Sequence, residues 1–130
     1  MLKTIVNTSR APRPVGPYSQ GVRVGNILYI SGQIPVSPIT GEIIKGDITV
    51  ETTQCMENIL AIVKEAGGDL SSLIKTTIYL KDISQAQAVN QAYQSFFKDI
   101  NSFPARAMVE VTRLPKDSEI EIEAIAVLPD

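Results

Sequence analysis

Arg106 stands at the head of an apolar run, behind Phe103-Pro104-Ala105, and Glu119, Glu121 and Glu123 alternate with Ile120, Ile122 and Ala124 a few residues later. The chain has no histidine, and its single cysteine, Cys55, falls in a helical pattern. Chemistry done by such a chain rests on a guanidinium, carboxylates, hydroxyls and water. A planar arginine fork grips a carboxylate through two parallel hydrogen bonds. A glutamate partly withdrawn from water, beside an arginine, orients a water molecule and takes its proton. Each group also has a structural reading. A lone arginine at a strand start is more often an ion-pair or surface residue. Alternation by itself describes a half-buried strand with a solvated acidic face.

The remaining polar positions have ordinary structural readings too. Gly16-Pro17-Tyr18-Ser19-Gln20 reads as a turn with a packed tyrosine. Ser31-Gly32-Gln33 reads as a strand exit, although a glycine there also lets backbone approach a ligand. Asn90 lies at the edge of the second helix's apolar stripe, where a polar flank is ordinary. Cys55 fits the core of the first helix, with no basic neighbour in sequence to create a thiolate. The chain has no glycine-rich phosphate loop, and without histidine or paired cysteines it offers no zinc ligand set, so neither metal nor cofactor is expected.

The elements that must position these groups follow from pattern. Lys3–Val6 reads as a short strand, followed by a proline-rich loop from Ala11 to Pro17. Gly21–Val24 and Ile27–Ser31 flank Gly25-Asn26, a hairpin turn, and the loop Pro35–Gly41 closes that unit. The spacing of Cys55, Ile59, Ile62/Val63 and Ala66 predicts a helix over Thr49–Ala66, stopped by Gly67-Gly68. Leu73–Lys81, rich in β-branched residues, reads as a strand. Ser84-Gln85-Ala86-Gln87 fits a capping box opening a second helix, whose stripe is Val89, Tyr93, Phe96, Phe97 and Ile100. Arg106–Thr112 and Glu119–Val127 are the last strands, separated by Leu114-Pro115-Lys116-Asp117.

Two strand–helix–strand units imply parallel pairs with right-handed crossovers, which puts both helices on one face of a sheet. The opposite apolar face is left uncovered and needs a partner, so the expectation is a homo-oligomer with sheet faces in its interior. One conflict stands out. If the last two strands form a hairpin around Lys116-Asp117, Glu121 sits opposite Thr112, and Arg106 lies ~20 Å away at strand rise. For both to serve one site, the strands are not a simple hairpin, or the site joins two subunits.

Composition sets the outer bounds. At 130 residues the chain is one domain, 1–130. Its 44% hydrophobic and 20% charged content is ordinary for a soluble globular protein. A net charge of −2, without a basic cluster, argues against a nucleic-acid surface. One cysteine, no run long enough for a membrane span and no apolar leader point to a cytoplasmic protein with no membrane partner.

Several stretches, taken in order, resemble the RidA branch of the Rid (YjgF-like) family. They are Gly16-Pro17-Tyr18-Ser19-Gln20, Ser31-Gly32-Gln33-Ile34-Pro35, Asn58 with Ala66-Gly67, Lys75-Thr76-Thr77, Pro104-Ala105-Arg106, and Leu114-Pro115-Lys116-Asp117 through Ile120–Ala126. Each motif is weak alone; their joint order from about Lys3 to Val127 is specific. The resemblance implies an α+β, chorismate-mutase-like single domain, a mixed sheet with two helices on one face, assembled as a homotrimer with sites between subunits. It implies enamine/imine deamination, in which 2-aminoacrylate/2-iminopropanoate and 2-iminobutanoate become 2-oxo acids and ammonia.

By the same resemblance Arg106 binds the carboxylate and Glu121 positions water, while Tyr18, Ser31, Gly32 and Asn90 line the cleft. Many close relatives carry cysteine two residues after the arginine. Here Met108 stands there, able to offer a backbone N–H but no thiol. A protonated imine is already electrophilic, so positioning and one general base suffice and the lack of histidine fits. The alternative is a non-enzymatic trimer that binds a small carboxylate for regulation or acts as a chaperone. RNA cleavage, proposed for relatives, fits poorly with an acidic chain that has no histidine or basic patch.

Overall fold

The structure, a computed structural model, describes residues 2–99 and 101–130. Six strands form one sheet: β1 Lys3–Val6, β2 Gly21–Val24, β3 Ile27–Gln33, β4 Leu73–Leu80, β5 Ala105–Glu110 and β6 Ile120–Val127. Helices α1 (Ile48–Glu65) and α2 (Ala86–Phe96) follow β3 and β4 respectively. The element order is the one the sequence predicts, and the fold is α+β with a mixed sheet.

Local chemistry explains the boundaries. Gly25, at φ 61°, turns the chain between β2 and β3. Asp47 caps α1 by accepting from Val50 N at 3.0 Å. Gly67, at φ 94°, ends that helix in the left-handed conformation glycine adopts without strain. The predicted capping box does not form: α2 has no side-chain cap, and Ser84 Oγ instead donates to Asp82 Oδ1, the acceptor that caps the 3-10 turn Ile83–Gln85. A nearer carboxylate captured the serine. Ile100, predicted on the α2 stripe, lies outside the described residues.

The sheet order is β1-β2-β3-β6-β4-β5. β6 runs antiparallel to both β3 and β4, so those two are parallel but not adjacent. Among the described residues only β4–α2–β5 gives a directly paired parallel unit, a correction to the expectation of two. The last two strands are likewise no hairpin, since β4 lies between β5 and β6.

Both helices cover one face. Ile120, Ile122, Ala124 and Ala126 of β6, with Leu28 and Ile30 of β3, are buried against Ile59, Ile62 and Val63 of α1. Each large aliphatic side chain so buried contributes roughly 1.5–3 kcal/mol. Cys55 is fully buried in this core, and burial pushes its thiol well above the usual range. Among the described residues no helix lies over the opposite face. Ile5, Ile27, Tyr29, Val109 and Val127 point there with 39–51% of their surface exposed. Among the described residues no helix is long and apolar enough to cross a membrane.

Candidate active site

The parallel register of β5 on β4 places Arg106 beside Thr76, on the helix-covered face at the sheet edge. Its Nη1 donates to Asn90 Oδ1 of α2 at 2.8 Å, and its guanidinium lies 5.2 Å from the centre of the Tyr93 ring. Asn90 and Tyr93 are three residues apart and so share one face of the helix. Tyr93 is itself fixed by a buried 2.7 Å hydrogen bond between its hydroxyl and Thr76 Oγ1. Its proton is held more tightly than usual because the hydroxyl is buried.

No acidic partner reaches Arg106: the ion pairs among the described residues join Lys81 to Asp117 and Glu119. An arginine steadied by an amide and an aromatic face keeps its charge and most of its donors for a ligand. Met108, two residues on, points the same way and packs at the margin of the core.

Glu121 is elsewhere. It pairs with Tyr79 and faces the uncovered side. Its carboxyl is pushed above the usual range, first by burial and then by neighbouring Glu123. Glu123 accepts a 2.8 Å hydrogen bond from Tyr79 Oη, whereas Glu121 has no protein hydrogen-bond donor among the described residues. The carboxylate lies against Gly32, where a Cβ would collide with it. Gly32 sits in an irregularity of the β3–β6 pairing between Ile30 and Gln33, which re-aims the strand at that point.

Gly32 also forms part of a cleft with Tyr18, Gln33, Ile34, Arg13 and Lys116. Tyr18 is half exposed there. Ser31, by contrast, is committed to the backbone: its hydroxyl donates to Ser19 O at 2.5 Å and its N–H to Gln20 O at 2.9 Å. It holds the Tyr18 loop and retains only acceptor capacity for a ligand.

Two buried amides fix the cleft walls. Gln20 accepts from Thr8 N at 2.7 Å and donates to Thr8 O, Ala11 O and Pro12 O. Asn58 donates to Val36 O at 3.0 Å and Ile34 O at 3.4 Å. Neither amide follows from alternation or helical spacing, and neither do Arg13, Lys116 and Tyr93 as site neighbours.

The expected residues therefore fall into two groups. Arg106, Asn90 and the Met108 backbone lie at the sheet edge; Tyr18, Gly32 and Glu121 lie beside the cleft, with Ser31 behind. Thr76, Arg106's neighbour, pairs with Ala124. Glu121 is three residues from Ala124, about 10 Å along the strand, and on the opposite face. One chain does not bring the two groups into a single cavity.

Residues 8–128 match the family model described as endoribonuclease L-PSP. The 2-iminobutanoate/2-iminopropanoate deaminase of Escherichia coli K12 is 50% identical over 128 residues, covering 98% of each chain. The crystal structure of Escherichia coli TdcF with bound serine superposes with a TM-score of 0.92 at 43% identity, over 97% of this chain and 99% of that one. The Escherichia coli YjgF gene product gives 0.91 at 48% identity, over 95% and 98%.

Proposed function

Because the chain belongs to the Rid (YjgF-like) family, the one described as endoribonuclease L-PSP, we propose that it hydrolyses small 2-imino acids to 2-oxo acids and ammonia. The substrates are 2-iminopropanoate, formed from 2-aminoacrylate, and 2-iminobutanoate. The observation that carries this reading is that the chain keeps both a guanidinium with no acidic partner and a partly buried carboxylate with no hydrogen-bond donor among the described residues. The serine in the TdcF structure, a carboxylate beside an amine-bearing carbon, is a ligand of matching chemistry.

Arg106 holds the substrate carboxylate and withdraws electron density from the imine carbon. Glu121 accepts a proton from water as the water oxygen bonds to that carbon, giving a carbinolamine. The substrate enters as the protonated imine, so the carbinolamine carries a neutral amine. Glu121 passes its proton to that amine, then, ionised again, takes the hydroxyl proton as the C–N bond breaks, so that the carbonyl forms and ammonia leaves. A general base of this kind contributes typically 10²–10⁴-fold. Because the two groups lie on opposite faces, the working site is assembled from two subunits of a homotrimer joined through the uncovered apolar face.

Ammonia or 2-oxo acid release from freshly generated 2-aminoacrylate tests the reading. Loss of most of this activity in Arg106→Ala is the expected result. A variant that keeps the full rate sinks the assignment. Arg106-dependent binding with no turnover of any imine would instead point to a non-enzymatic carboxylate binder.

A further inference from the structure

The cleft beside Glu121 carries two cations that the reaction above does not use. Arg13, on the proline-rich loop, and Lys116, on the turn before β6, both line it with Tyr18, Gly32 and Ile34. Neither forms an ion pair or a side-chain hydrogen bond among the described residues. No aspartate or glutamate is among the lining residues.

Lys116 is placed there by unusual means. It has φ 54° and ψ 25°, and Asp117 follows at φ 55°, two consecutive left-handed residues of which neither is glycine. The 3-10 turn Pro115–Asp117 holds this shape through Asp117 N to Leu114 O at 3.1 Å and Ser118 N to Pro115 O at 3.2 Å. The acid nearest Lys116 in sequence is drawn away, since Asp117 pairs with Lys81 at 3.1 Å. Two left-handed non-glycine residues cost energy that the surrounding structure must supply, and here they set Lys116 between this cleft and a neighbouring one whose wall holds Glu51, Asp117 and Glu119.

We propose that Arg13 and Lys116 are specificity residues that receive a second carboxylate, so that dicarboxylic 2-imino acids are preferred substrates. This deepens the imine-hydrolase reading and rests on it. Arg106 takes the carboxylate next to the imine carbon. The methylene stem of the side chain lies against Val15 and Ile34, and the terminal carboxylate meets the two cations. Gln20 and Asn58 hold the cleft walls from behind, so the cations sit on a fixed frame. Both side chains are exposed, so each contributes modestly and the preference is about tenfold rather than a thousandfold.

The test compares 2-oxoglutarate with 2-oxobutanoate as stable product-type probes, by titration calorimetry on the full chain, and then the matching imines by kcat/KM. The wild type should favour the dicarboxylate about tenfold, and Arg13→Ala and Lys116→Gly should each lower that ratio about threefold. Lys116→Gly relaxes the left-handed position, so this variant folds at least as well as the parent and its loss of preference is not a folding defect. Equal affinity for the two probes in the wild type, or variants that weaken both in the same proportion, overturns the proposal. Turnover of monocarboxylic imines without a dicarboxylate preference defeats this inference alone. No turnover of any imine defeats the hydrolase reading and this one with it.

Discussion

Gly32 and the Glu121 carboxylate occupy adjoining space so closely that no side chain fits at position 32 without displacing the acid. The displaced atoms are the far end of a flexible side chain, so the fold tolerates the change while the carboxylate does not keep its place. Gly32→Ala is expected to fold with a melting temperature within a few degrees of the parent and to lose about 10²-fold or more in kcat. Thermal unfolding measured beside steady-state kinetics separates the two effects. A variant with unchanged kcat would show that the Glu121 position is not critical.

Glu121 holds its proton more tightly in the folded protein than its usual 4.5 because of burial and Glu123. The stability linked to the protonated form is therefore present below pH 4.5 and is lost as pH rises through the folded value. Ionised Glu121 thus costs stability at pH 7. Glu121→Gln should raise the melting temperature at neutral pH, with a gain that shrinks toward pH 4, while kcat falls by about 10²–10⁴. The same ionisation should appear as an acid limb of kcat/KM lying above pH 4.5. A gain over the parent that is no larger at pH 7 than at pH 4 would contradict the burial argument.

Arg106 presents a fork, not only a charge, and Asn90 fixes how the fork is turned. Arg106→Lys keeps the charge but loses the bidentate geometry, so KM for the imino acid should rise about 10–100-fold. Asn90→Ala removes one positioning hydrogen bond and should raise KM less than tenfold with little change in kcat. A larger kcat effect than KM effect in Asn90→Ala would mean that this side chain acts in the chemical step.

The parts legible in the sequence are those set by neighbours along the chain. The Gly25 turn, the Cys55–Ile59–Ile62 stripe and the alternation of β6 are local patterns, and each forms where the residues place it. The insertion of β6 between β3 and β4 depends on pairing across about 90 residues, which alternation does not encode. The Arg106–Asn90–Tyr93 contact required the parallel register of β5 on β4. The left-handed Lys116-Asp117 pair gave no composition signal, because glycine marks such turns and neither residue is one.

Gln20 joins three backbone carbonyls and one N–H of the loop that carries Arg13 and Tyr18, with only 3% of its surface exposed. Truncating it strands those buried groups. Gln20→Ala should cost about 1–3 kcal/mol in unfolding free energy and loosen the loop. Faster amide exchange at Thr8, with higher KM, is the expected signature. A loss of stability with no change at Thr8 would mean that the amide serves packing alone.

The placement of Arg106 and Glu121 on opposite faces makes a quantitative prediction about mixed assemblies. If each site takes its arginine from one subunit and its glutamate from the next, Arg106→Ala and Glu121→Ala homotrimers are both inactive. Unfolding and refolding an equal mixture distributes the subunits at random. A site is then intact when a subunit with Arg106 happens to face one with Glu121, which occurs in about a quarter of interfaces. Activity should return to about that fraction of the parent protein, measured after separating aggregates by size exclusion. Sites built within one chain cannot complement, because every subunit lacks one of the two groups. Recovery near zero, from a mixture that refolds to the same assembly, would place both residues in a single subunit's site.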